Sequence, residues 1–164
     1  MSSRPARVVN VIFAGLGGQG VIKASDILAD AAFRAGLDVK KAEVHGMSQR
    51  GGSVTSDVRF GGEVLSPMIP TGEADYLVVL APSEVAATRP LLRESGLLLP
   101  PDLIDEAKLP NRRSLNVALL GVLARQLDLP EEHWMAALHA ALPERLHDVN
   151  EKAFRLGREI ALRR

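Results

Sequence analysis

Val8-Val9-Asn10-Val11-Ile12-Phe13-Ala14-Gly15-Leu16-Gly17-Gly18-Gln19-Gly20-Val21 passes from a β-branched apolar run directly into a cluster of glycines. Val8 to Ala14 reads as a buried first strand, because a short run apolar on both faces suits a strand covered on both sides. Beyond the glycines, Val21, Ala24, Leu28, Ala31 and Ala35 fall on one helical face, and Gly36 stands where a helix closes through a left-handed residue. A second extended run follows, Asp38-Val39-Lys40-Lys41-Ala42-Glu43-Val44. Strand, glycine turn, helix, strand is a βαβ unit, for which a right-handed crossover is expected.

Further along, Ser53 to Phe60 alternates Val54, Val58 and Phe60 with polar residues, as a half-buried strand does. Gly61-Gly62 reads as a two-residue hairpin turn into Glu63-Val64-Leu65-Ser66. Tyr76 to Ala81 is a second continuous apolar strand, expected to be central and parallel. Ser83 caps a helix carried by Val85 to Glu94 with a break at Pro90, Gly96 ends it, and Leu97-Leu98-Leu99 is a short strand. After a connecting stretch from Pro100 to Pro110, Ser114 opens a helix whose Val117–Ala124 run is apolar all round, hence buried or covered by a partner. Pro130 starts another helix, and Asp148 caps a last one with Val149, Ala153, Leu156 and Ile160 on one face. The last helix has a basic face of Lys152, Arg155 and Arg158, continued by Arg163 and Arg164. The fold class is α/β: a Rossmann-like, mostly parallel sheet with flanking helices, a β-hairpin insertion and a helical C-terminal third, in one domain over residues 1–164.

Composition narrows the function. The chain is 46% hydrophobic but only 4% aromatic, so the core is built of Leu, Val, Ile and Ala. Basic and acidic residues balance to a net charge of zero, which speaks against a nucleic-acid protein. There is no cysteine, so thiolate nucleophiles and self-contained iron–sulfur clusters are excluded, and a cytoplasmic setting is expected. The apolar run at the N-terminus is too short for a membrane span and runs into glycines instead of a signal cleavage site.

Two stretches carry chemistry. Gly15-x-Gly17-x-x-Gly20 has the form and context of a dinucleotide turn, following a strand and opening a helix, and Glu43 falls where a ribose-binding acid would sit. Similar turns also serve packing alone, and Gln19 either faces a ligand or caps the helix. The second stretch, His45-Gly46-Met47-Ser48-Gln49-Arg50-Gly51-Gly52, packs an imidazole, a hydroxyl, an amide and a guanidinium into a polar loop after a strand. Both stretches are expected beyond strand carboxyl ends, lining one crevice. Arg50 suits an anion or an inter-subunit carboxylate. His45 has Asp57 and Glu43 as possible orienters, but no companion for triad chemistry. His133, His139 and His147 are scattered, no metal-ligand spacing exists, and no catalytic constellation is evident.

Taken in order, Gly15–Val21, Glu43–Gly52, Val58-Arg59-Phe60-Gly61, Ser66-Pro67 and Gly72-x-Ala74-Asp75 resemble the gamma-type domain of 2-oxoacid:ferredoxin oxidoreductases. The His-Gly-Met-Ser-Gln-Arg-Gly-Gly form is most similar to the indolepyruvate branch of that family. The likeness is strong over residues 8–81. It continues weakly through Asn116, Leu120-Gly121 and Asn150-x-x-Ala153-Phe154-x-x-Gly157. The resemblance implies a subunit inactive alone. A large partner would carry thiamine diphosphate, magnesium and 4Fe-4S clusters. The complex would convert an aryl-2-oxoacid and coenzyme A to an aryl-acetyl-CoA and carbon dioxide, reducing ferredoxin, with no part for nucleic acid or membrane. The implied cofactor-binding residues are Gly15, Gly17, Gly18, Gln19, Gly20, His45, Gly46, Ser48, Gln49, Arg50, Gly51 and Gly52, with none catalytic and none binding metal. The Leu97–Ser114 stretch is shorter than that family usually has. Two rival readings remain at this point: a free-standing Rossmann-type NAD- or CoA-binding protein, and a non-catalytic nucleotide-binding module.

Overall fold

A computed structural model describes residues 7–45 and 52–162, with His45 described in its backbone only. Five strands form one open sheet in the order β2-β3-β1-β4-β5. They are β1 (Val9–Leu16), β2 (Asp38–His45), β3 (Ser53–Gly61), β4 (Ala74–Val79) and β5 (Leu92–Leu99). β1 pairs parallel with β4, and β4 parallel with β5, whereas β3 runs antiparallel to both β1 and β2. Four strands therefore point one way and β3 is the reversed member. The βαβ unit is split: β1 and β2 run in the same direction but β3 lies between them. Side chains explain the exchange. β2 carries Lys40, Lys41 and Glu43 and takes the edge, where charge blunts an open ladder. β3 buries Val54, Ser56, Val58 and Phe60 and takes the interior.

The antiparallel hairpin is thus β2–β3, not a turn at Gly61-Gly62. Residues 63–66 form no strand. Three side chains draw the chain across the sheet there instead. Asp38 accepts the Val64 N–H at 2.7 Å, Asp57 accepts the Ile69 N–H at 2.9 Å, and the Arg59 guanidinium donates to the carbonyls of Ser66 and Met68. The helix expected to reach Glu94 also ends early. α2 spans Pro82–Thr88, a 3-10 turn covers Arg89–Leu91 around Pro90, and β5 starts at Leu92.

Alternation in β1 divides the core. Val11 and Phe13 face a large cluster with α1 (Val21–Arg34), α3 (Leu115–Ala124), α4 (Glu131–Ala141) and α5 (His147–Arg158), while Ile12 and Ala14 face a smaller one with Ile69, Leu77 and Val79. α1 closes as expected: the Leu37 N–H reaches the Ala32 carbonyl and the Gly36 N–H reaches that of Phe33, the bond pattern of a Schellman cap. α3 is buried from Asn116 to Ala124 by this chain's own elements. α5 crosses it so closely that a Cβ on Gly157 would lie 1.8 Å from the Ala118 carbonyl oxygen, and one on Gly121 would lie 2.1 Å from that of Phe154. No described helix is long and apolar enough to cross a membrane.

Candidate functional site

β1 and β2 end, and β3 begins, at the same edge of the sheet, so the glycine turn and the Gly46–Gly52 segment leave from one place. The register aligns Gly15 with Val54 and Val54 with His45, and the Gly17 N–H donates to the Gly52 carbonyl at 2.9 Å. Of the crevice expected between the two stretches, only the glycine-turn side falls among the described residues. The side chain of His45 and residues Gly46, Ser48, Gln49, Arg50 and Gly51 lie outside the described set.

The turn itself is braced from within. The Gln19 side chain accepts the Leu16 N–H at 2.7 Å through Oε1 and donates through Nε2 to the Leu80 carbonyl at 3.4 Å. It does not cap α1; it ties the end of β1 to the end of β4. Gly15 must be small because a Cβ there would sit 2.8 Å from Gln19 Oε1 and from Val21 Cγ2. Gly18 and Gly20 have φ of 90° and 83°, the left-handed region where a side chain is strained. Gly20 is the N-cap of α1, with no side chain capping the helix and no acidic residue in its first turn. Asn116 closes on it from α3, Nδ2 donating to the Gly20 carbonyl at 3.2 Å while Oδ1 accepts the Val117 N–H at 2.9 Å. This brace was recognised only as a weak family likeness. Its physical signal is a lone amide in an otherwise apolar helix.

Two clefts adjoin the turn. One of about 500 Å³ is lined by Leu16, Gly17, Gly18, Val21, Lys23 and Val54, with Asp26 at its margin. The other, about 410 Å³, is shared by Gly18–Gly20 with Arg112, Arg113 and Asn116. Glu43, the sequence's candidate for a ribose, is two strands away from β1, about 10 Å across the sheet. Its carboxylate accepts from Lys41 Nζ at 2.8 Å. Lys41 also bonds Asp26; burial alone would lower the Lys41 pKa, and its two carboxylate partners outweigh that and hold it above the ordinary lysine value. Asp57 does not orient His45 either: it pairs with Ala42 in register and holds the Ile69 N–H. Burial pushes its carboxyl up, against the Ile69 hydrogen bond and Arg59, which draw it down. Among the described residues no group of three His, Asp or Glu is placed to hold a metal.

The fold and turn define a mixed α/β subunit domain whose glycine turn is built for close backbone approach, without the adjacent strand and acid of a dinucleotide site. A family model for pyruvate ferredoxin/flavodoxin oxidoreductases matches residues 10–110. The indolepyruvate oxidoreductase subunit IorB of Thermococcus kodakarensis is 33% identical over 188 aligned positions, which cover 90% of this chain and 93% of the relative. The IorB subunit of Archaeoglobus fulgidus is 32% identical over 91% of this chain and 93% of its own length. Among solved structures, the gamma subunit of a keto/oxoacid ferredoxin oxidoreductase from Geobacter sulfurreducens superposes with a TM-score of 0.77 at 26% identity, over 94% of this chain and 97% of that one. A 2-oxoglutarate:ferredoxin oxidoreductase from Magnetococcus marinus, with 2-oxoglutarate, coenzyme A and succinyl-CoA bound, shares the fold with a TM-score of 0.79 at 20% identity, over 94% of this chain and 31% of that one. The chain belongs to the pyruvate ferredoxin/flavodoxin oxidoreductase family and is a subunit of a 2-oxoacid:ferredoxin oxidoreductase. The alignment with the Thermococcus subunit is longer than the part of this chain that it covers. Since 90% of this chain is about 148 residues spread over 188 positions, about 40 positions of the Thermococcus subunit have no equivalent here.

Proposed function

We propose that this chain is the small, cluster-free subunit of a cytoplasmic complex that oxidatively decarboxylates an aryl-2-oxoacid of the indolepyruvate type. Coenzyme A takes up the acyl group, carbon dioxide leaves, and the electron pair passes to ferredoxin. The observation that carries the reading is the Gly17–Gly52 hydrogen bond, which draws the glycine turn and the His45–Gly52 stretch to one sheet edge. The aryl preference is supported by the likeness to the IorB subunits, and the use of coenzyme A by the open first turn of α1, where backbone N–H groups favour an anion. Thiamine diphosphate, magnesium and 4Fe-4S clusters are assigned to the large partner. This chain has no cysteine to supply the thiolates that hold such clusters. Thiamine chemistry and cluster electron transfer run in that partner; this chain contributes the walls and donors of a coenzyme A path through Gly15, Gly17, Gly18, Gly20, His45 and Arg50.

A free-standing NAD-binding protein is not favoured, because β3 separates Glu43 from the turn and Lys41 engages it. The test is co-purification and reconstitution. The chain should come down with a large iron-containing subunit, show no 2-oxoacid oxidation alone, and support CoA-dependent reduction of ferredoxin by indolepyruvate when recombined. Robust oxidation by the isolated chain, or saturable NADH binding to it, would overturn the proposal.

A further inference from the structure

The cleft shared by Gly18, Gln19 and Gly20 with Arg112 and Arg113 has a feature the family likeness does not account for. The family model ends at residue 110, just short of the two arginines. Both arginines line the cleft, both are exposed, no acidic residue lines it, and neither guanidinium has an ion pair or side-chain hydrogen bond among the described residues. Their backbone is nonetheless fixed. Asn111 Oδ1 accepts the Arg113 N–H at 2.8 Å, and the Asn111 carbonyl accepts both the hydroxyl and, at 3.0 Å, the N–H of buried Ser114. Two residues on, Asn116 binds the Gly20 carbonyl. The arginine turn and the glycine turn are thus tied together as the two walls of one cleft.

Two adjacent unpaired guanidiniums beside a helix N-terminus suit an anion that takes several donors, and a phosphate does so through forked contacts. Gly18, with no side chain and nothing within 4 Å of where a Cβ would stand, leaves the opposite wall open to close backbone approach. We propose that Arg112 and Arg113 clamp a phosphate group of coenzyme A against the Gly18–Gly20 backbone, and that this pair sets the preference for coenzyme A over carriers lacking that phosphate. The assignment rests on the reading that coenzyme A meets this chain. The arginines are positioning and specificity residues; they touch no reacting atom.

The test uses the complete complex carrying Arg112→Gln with Arg113→Gln, and Arg112→Lys with Arg113→Lys, assayed with coenzyme A, dephospho-coenzyme A and pantetheine. The Gln pair should raise KM for coenzyme A about tenfold or more, with kcat at saturation and KM for the 2-oxoacid unchanged, and the Lys pair should recover part of the loss. The wild-type advantage of coenzyme A should shrink in the Gln pair. Loss against dephospho-coenzyme A places the clamp on the 3′-phosphate, and loss only against pantetheine places it on the diphosphate. An unchanged KM for coenzyme A overturns the proposal, as does dissociation of the complex by the Gln pair, which would give the arginines to the subunit interface. Hydrogen exchange of the wild-type complex with and without coenzyme A separates the two levels. Protection of residues 16–23 together with an unmoved KM removes the clamp and keeps the coenzyme A site, whereas absence of protection removes both.

Discussion

Gly18→Ala and Gly20→Ala separate two costs that the same substitution carries in one turn. Both positions have positive φ, so an alanine at either is strained by about 1–2 kcal/mol. At Gly18 that is the whole cost, since a Cβ there meets nothing within 4 Å. At Gly20 the Cβ would lie 2.4 Å from Asn116 Nδ2 and 3.1 Å from its Cγ. Asn116 is buried and held by two hydrogen bonds, so it must swing away and release both, each contributing about 1 kcal/mol. Gly18→Ala should therefore lose about 1–2 kcal/mol and Gly20→Ala about 3–4 kcal/mol. In an Asn116→Ala background the second loss should fall back to the first, a coupling of about 2 kcal/mol. Urea unfolding followed by fluorescence reads this directly. Trp134 is the only tryptophan, fully buried, with its ring 5.6 Å from Phe154 of α5. Equal losses at the two glycines, or zero coupling to Asn116, would refute the claim that α3 braces the turn.

Three other outcomes are expected. Gly157→Ala gains about 1 kcal/mol of helix propensity but forces α5 off α3, since its Cβ falls 1.8 Å from the Ala118 oxygen. A net loss of about 2 kcal/mol or more should appear as a drop of roughly 4–8 °C in Tm, and an unchanged melt would contradict the close crossing. Gln19→Ala leaves the Leu16 N–H and Leu80 carbonyl without their partner, costing about 2 kcal/mol, and the Leu16 amide should exchange measurably faster with solvent. Asp57 has a raised folded-state pKa, so between the ordinary carboxylate value and that raised value the unfolded chain releases its proton while the folded chain keeps it, and stability falls as pH rises. Asp57→Asn keeps an acceptor for the Ile69 N–H and removes that titration. Its stability relative to wild type should rise with pH across the window and stay flat above it, and denaturation at pH 3 and pH 7 would expose the opposite trend.

How much was legible follows from where each signal lives. β1, the glycine turn and α1 were readable because local features agree: an apolar run, glycines, a 3.6-residue stripe and Gly36 at the cap. The helical C-terminal third was readable for the same reason. Strand order was not, because it depends on which strand tolerates an edge, a comparison between Lys40-Lys41-Glu43 and the buried side of β3 that no single window contains. The hairpin at Gly61-Gly62 was misplaced because Asp38, Asp57 and Arg59 capture the chain after Gly62 from outside that window. Gln19 could be read from the sequence as facing a ligand or as capping the helix, and the bracing role was not visible there. Its bond to Leu80 joins residues 61 apart in sequence, which only the folded sheet brings together. Arg112 and Arg113 gave no signal, since two arginines in a connecting stretch are ordinary until α3 carries them to the turn.

The reversed strand decides what kind of ligand the turn accepts. In a dinucleotide site the strand beside β1 on the far side of α1 is parallel, so two carboxyl ends open a crevice and an acid on the second strand reaches the ribose. Here the neighbour is β3, whose amino end arrives at the same edge, where the Gly17 N–H bonds the Gly52 carbonyl. The acid is displaced to the sheet edge, where Lys41 engages it. What stays open is the first turn of α1 and the wall shared with Arg112 and Arg113, whose donors and positive charge suit an anion better than a ribose diol. With one strand reversed, a glycine turn of the same spelling no longer has an acid beside it, and Glu43→Gln should leave coenzyme A kinetics of the complex untouched. A rise in KM for coenzyme A in that variant would return the acid to the site and undo the argument.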